Sequence, residues 1–216
     1  PQNVFINGNH LVLFGASVEE QQTSEDIRIW YGGMPATAVQ LYNISDRAHP
    51  TLERDVRVDG GYVDARMIQD CVYVVSSTYI GEYYRVIDGN ETFRAPGITV
   101  GGTTWDIPPS NIYYPPDVGN AGAATHIVAF NLSTQDILHK MFLMQSSRNL
   151  YVSHANIFLT YTSYPEVGYY TSGRETTVIH RISITQGNIS VAGHGDVPGR
   201  VLDQFSMDEH DGIFRI

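Results

Sequence analysis

The chain has 216 residues, 42% of them hydrophobic, which is enough for a packed core and excludes a chain disordered by composition. Its 13 basic and 23 acidic residues leave a formal charge of −10, and Lys140 is the one lysine. That balance argues against binding to nucleic-acid phosphates or anionic membrane surfaces, and no run approaches the roughly 18 apolar residues of a membrane span.

The single Cys71 excludes an intrachain disulfide and a cysteine-based zinc site. With 20 Gly, 10 Pro, 14 Tyr and 8 Phe, the composition suits many short strands joined by turns. The chain begins at Pro1 without a signal peptide, which a mature protein would already have lost.

In chain order the predicted elements are strands. Val4-Phe5-Ile6 leads through Asn7-Gly8-Asn9, a hairpin signal, into Leu11-Val12-Leu13-Phe14. Residues 19–26 could support a helical turn but carry no sustained apolar stripe. Alternation follows over residues 39–44 and 50–58, and Val72-Tyr73-Val74-Val75 is a short apolar strand. Further strands are expected at 127–130, 137–144, 157–159, 178–184 and 188–192, with another beginning over 204–208 and one at 212–216.

These strands repeat. Leu41-Tyr42-Asn43-Ile44-Ser45 aligns with Ala129-Phe130-Asn131-Leu132-Ser133, and more loosely with His180-Arg181-Ile182-Ser183. Each is followed by a turn and a further strand, and hairpins precede them. Ile44 and Leu132 are 88 residues apart, Leu132 and Ile182 only 50, so a long insertion is expected at 78–124, with a shorter one at 16–35. A four-stranded antiparallel unit repeating at roughly 40–50 residues is the pattern of a β-propeller blade. The expected fold is therefore all-β, a propeller segment of about three and a half blades: 1–60, 61–147, 148–200 and a partial blade at 201–216. Such a segment has open edges, which are expected to pair with the rest of a longer chain or with another copy.

Tyr62-Val63-Asp64-Ala65-Arg66-Met67-Ile68 followed by Val72-Tyr73-Val74-Val75, and residues 195–209 with Asp196-Val197-Pro198-Gly199-Arg200, carry a resemblance, as do Asn43-Ile44-Ser45-Asp46 and Pro50. They resemble a secreted β-propeller family of archaea and bacteria, distantly related to WD40 repeats. The likeness spans essentially the whole chain, although Ala65 replaces an expected Ser and Asp203 an expected Asn. It implies a secreted or surface-anchored propeller and carries no catalytic residue with it.

The densest set of possible ligands is Asp208-Glu209-His210-Asp211. On a strand, Asp208 and His210 share one side and Glu209 the other, so structural roles between blades are expected for Asp208 and Glu209, with Arg66 or Arg148 as partner. The eight histidines form neither HExxH nor HxH, and each is expected to be solvated or hydrogen-bonded. Residues 193–199 lack a nucleotide-binding context, Ser206 lacks a nucleophile elbow, and Asp88-Gly89-Asn90-Glu91 reads as a turn rather than a calcium loop. Of the Asn-x-Ser/Thr sites at Asn43, Asn90, Asn131 and Asn188, only Asn90 suits a surface glycan.

The insertion carries the functional expectation. Tyr79, Tyr83, Tyr84, Trp105, Tyr113 and Tyr114 crowd a Gly/Pro-rich loop, a composition suited to contact with a protein or carbohydrate partner, or to a lid over the propeller or an edge cover. The expected function is a non-catalytic interaction scaffold with no catalytic residue, no metal and no cofactor. The alternative is a metal-dependent hydrolase or lyase with its site in the channel of a complete propeller.

Overall fold

A computed structural model describes residues 1–18, 35–87, 90–93, 95–115, 121–146, 149–164, 175–185 and 187–216, the side chains of residues 18 and 82–93 excepted. The helical turn expected at 19–26, most of the insertion at 16–35, the Asp88-Gly89 turn and Arg148 lie outside the described residues. The chain forms two compact units, Pro1–Ser146 and Ser147–Ile216. No helix among the described residues is long and apolar enough to cross a membrane.

The N-terminal unit begins with an antiparallel meander of β1 (Asn3–Asn7), β2 (His10–Val18), β3 (Pro35–Asn43) and β4 (Thr51–Asp59). After β5 (Gly61–Ile68) and β6 (Cys71–Tyr79), the chain leaves the second sheet through a 3-10 turn, Ile80–Tyr83. It then forms β7 (Tyr84–Ile87), β8 (Asn90–Phe93), β9 (Ile98–Val100), β10 (Thr103–Trp105) and β11 (Ile112–Tyr113). It returns as β12 (Ala123–Asn131) and β13 (Ile137–Met144), giving the second sheet the antiparallel order β5-β6-β12-β13.

Alternation explains how these sheets meet. Phe14, Val39 and Val56 are register partners, as are Val12 and Leu41, so one face of the first sheet is continuously apolar. It packs on Ala65, Val72, Val74, Val128 and Phe130 of the second sheet, all buried in one core. Burying a side chain such as Phe14 stabilises the fold by about 1.5–3 kcal/mol.

The excursion between β6 and β12 comes back to the outer strands of both sheets. β9 adds to the edge of β4, and β11 runs parallel to β13. Asp59 N–H donates to Gly97 O at 3.0 Å and Gly101 N–H to Asp55 O at 2.9 Å, bracketing the β4–β9 ladder. The Asp59 carboxylate also accepts the Gly97 amide at 2.9 Å. Edge groups that would otherwise face solvent are thereby paired.

In the C-terminal unit, β14 (Asn149–Val152), β15 (Asn156–Ser163), β16 (Thr176–Thr185) and β17 (Asn188–Pro198) form a third four-stranded meander. A separate hairpin follows, β18 (Asp208–His210) and β19 (Ile213–Arg215). Its loop residues Asp211 and Gly212 both have positive φ, 52° and 75°, the backbone a tight two-residue hairpin requires.

One backbone hydrogen bond marks the repeat. A residue at the end of each third strand donates to the turn of the preceding hairpin: Ile44 and Leu132, just past β3 and β12, to Asn9 O and Asp70 O, and Ile184, next to last in β16, to Ala155 O, each at 2.8 Å. The structural counterpart of Leu132 is therefore Ile184, not Ile182 as the sequence alignment had it. A two-residue slip keeps every side chain on its own face, so hydrophobic alternation cannot detect it. Bulges recur as well, between Leu41 and Tyr42 against β4 and between Arg181 and Ile182 against β17.

Two further expectations change. Residues 204–206 are not strand but a 3-10 turn, because the Asp203 carboxylate accepts the Phe205 amide at 2.9 Å and caps it. The strand expected at 188–192 continues to Pro198.

Candidate interaction surface

Polar joints hold neighbouring layers within each unit. In the N-terminal unit, Asn7 Nδ2 donates to Asp70 Oδ1 at 2.9 Å, and Asp70 Oδ2 accepts the Ser133 hydroxyl at 3.1 Å. Asn3 Nδ2 donates to the Tyr62 hydroxyl at 3.1 Å. The C-terminal unit repeats the device with different residues. Asn156, buried at the start of β15, donates from Nδ2 to both Glu209 oxygens at 2.9 and 3.1 Å and accepts Arg181 Nε–H at 2.9 Å. The Glu209 amide donates to the Tyr151 hydroxyl at 3.2 Å, and the Phe214 ring stacks on Phe158 with centroids 3.9 Å apart.

The singled-out charges fall differently. Asp208 pairs with Arg215 across its own hairpin at 2.7 Å, and Arg66 sits 3.8 Å from Asp64 in its own strand. Asp208, Arg215 and Arg66 are exposed and Asp64 is half-buried, so neither pair contributes much. Glu209 faces the third sheet, while Asp208 and His210 face away from it, as alternation requires.

The aromatic residues of the 78–124 segment separate into two groups. Tyr113 is half-buried, edge-to-face with Phe142 at 5.8 Å, and so helps attach β11 to the second sheet. Trp105 and Tyr114 stay 43% and 50% exposed. Tyr79, also exposed, lies over Gly81, where an added Cβ would fall 2.3 Å from its ring. Tyr83 and Tyr84 have described backbone in the 3-10 turn and β7, but their side chains lie outside the described residues. Leu202, just before the capped turn at 204–206, and Phe205 within it are almost fully exposed.

A buried histidine pair was not singled out in the sequence. His126 on β12 and His139 on β13 lie on the face of the second sheet that meets the first, with His126 Nδ1 2.8 Å from His139 Nε2. Burial, reinforced by His139, holds His126 well below the ordinary imidazole range, and burial brings His139 to about 4. Their 13-residue separation matches no motif; two histidines on consecutive strands of a meander were the available signal. Cys71 is buried too, and desolvation raises its thiol pKa. Among the described residues, no three His, Cys, Asp or Glu side chains come together as a metal would need.

Repeated four-stranded antiparallel meanders, apolar on their packed faces and joined by recurring turn bonds, are the blades of a β-propeller-class protein. The whole chain, residues 1–216, matches the beta propeller domain family, and it belongs to that family. No curated protein matches it significantly.

Proposed function

We propose that the protein is a non-catalytic propeller scaffold, secreted or displayed at the cell surface, that contacts a protein or glycan partner through exposed aromatics. One observation carries this reading: Trp105 and Tyr114 remain exposed on a backbone pinned to the sheets by the β4–β9 and β11–β13 ladders. Rigid, amphipathic rings offered at little entropic cost suit recognition. The acidic charge and single lysine fit a neutral or basic partner surface better than a phosphate polymer.

In this reading the three four-stranded sheets are blades, the β18–β19 hairpin opens a fourth, and the remaining open edges pair with further sheets of the protein or with another copy. The relation to WD40 repeats and the extracellular setting rest on the motifs at residues 62–75 and 195–209.

The test is a glycan array and a binding screen with cell-surface protein ectodomains, run on the protein and its Trp105→Ala/Tyr114→Ala variant. A ligand bound by the first and lost by the second at unchanged thermal midpoint supports the proposal. Identical binding profiles overturn the role of these residues.

A further inference from the structure

We propose that the His126–His139 pair is an acid-sensitive latch between the two sheets of the N-terminal unit. The geometry allows one proton between the facing nitrogens, 2.8 Å apart. A second proton there would set two N–H groups against each other, replacing a hydrogen bond with a repulsion. The remaining His126 nitrogen, Nε2, is buried without a hydrogen-bond partner among the described residues, so a proton placed on it meets no acceptor there. Whichever nitrogen takes the extra proton, a cation is created inside the core that joins the sheets.

The surroundings offer that cation little. On β6 the cross-strand neighbour of His126 is Ser76, whose hydroxyl proton goes to the Asp59 carbonyl at 2.9 Å and whose neutral oxygen supplies no countercharge. On β13 it is Met141, and Val128 lies opposite His139. From β5, Tyr62 shares this face and is hydrogen-bonded to Asn3. From the first sheet, Asp59 at the end of β4 accepts the Gly97 amide, and Arg54 lies at the far, exposed end of the strand. Asp55 and Arg57 pair with Gln40 and Ala38 on the opposite face of that sheet. Lys140 pairs with Ile127 on the opposite face of the second sheet, as Asp64 pairs with Val75 and Arg66 with Tyr73.

The direction follows from linkage. Both imidazoles bind protons less readily folded than unfolded, so the unfolded chain takes up more protons below about 6.5. Stability is complete above that pH and is lost as pH falls toward about 4. The shift of His139 to about 4 alone raises the unfolding equilibrium constant about twenty-fold between pH 7 and pH 5, and His126 acts in the same direction.

Urea unfolding at pH 7, 6 and 5 tests this with the whole protein and its His126→Leu/His139→Leu variant. The expected result is a steep loss of stability in the unaltered protein, with the part due to the pair absent from the double variant. Equal pH dependence in both overturns the proposal. Should the variant not fold, NMR titration of the imidazoles in the unaltered protein decides. Both rings neutral down to pH 5 supports the latch, and an ordinary midpoint near 6.5 for either ring overturns it.

Discussion

The Asn156 side chain bridges two layers of the C-terminal unit: its Nδ2 lies 2.9 Å from Glu209 Oε1 on the hairpin, while its Oδ1 accepts Arg181 Nε–H. A buried amide with both ends occupied orients a carboxylate that would otherwise sit against the sheet unpaired. Replacing Asn156 with Ala leaves the half-buried Glu209 carboxylate without its donor, while the exposed Arg181 turns to water, and should cost about 1–3 kcal/mol. Glu209→Gln keeps one acceptor and should cost less. Urea midpoints of the two variants check the order; an equal loss would show that the charge of the Glu209 carboxylate carries the whole joint.

Two glycines accept equivalent threonine hydrogen bonds with different tolerance. Thr37 donates its hydroxyl to Gly60 O at 2.9 Å and Thr177 to Gly199 O at 2.7 Å, and both glycines have positive φ, 100° and 95°. A Cβ on Gly60 would lie 2.8 Å from the Ser77 backbone, whereas around Gly199 the space is open. Gly60→Ala should therefore cost about 2 kcal/mol more than Gly199→Ala, which pays only the roughly 1 kcal/mol of an unfavourable backbone. Thermal midpoints measured side by side settle the comparison.

The cover over the first sheet's edge depends on one amide. The bonds flanking the β4–β9 ladder place Thr99 in a hydrogen-bonded pair with Arg57. Thr99→Pro removes that donor and should detach the strand, raising amide exchange in β4 and the tendency to aggregate. Unchanged exchange at Arg57 and Asp59, whose amides face β9, would mean the edge is protected by something other than β9.

The two kinds of insertion aromatic should respond oppositely. Tyr113→Ala loses packing on Phe142 and should destabilise the N-terminal unit by about 1–3 kcal/mol, while Trp105→Ala should stay within about 0.5 kcal/mol. Denaturant curves distinguish them; a large loss for Trp105 would assign it to packing rather than to contact.

The sequence by itself determined the all-β class, the four-strand unit and most of its turns. Period-two alternation and signals such as Asn7-Gly8 and Asp211-Gly212 act over a few residues and are fixed by local backbone preference. It located the aromatic insertion and separated the two faces of β18, but it slipped the third repeat by two residues because a strand looks the same after such a slip. Only the tertiary structure decided where the insertion goes, that Glu209 meets Asn156, and that His126 meets His139. Each is a contact between segments that the sequence holds apart, and which strand lies beside which is set by how whole sheets bury their apolar faces.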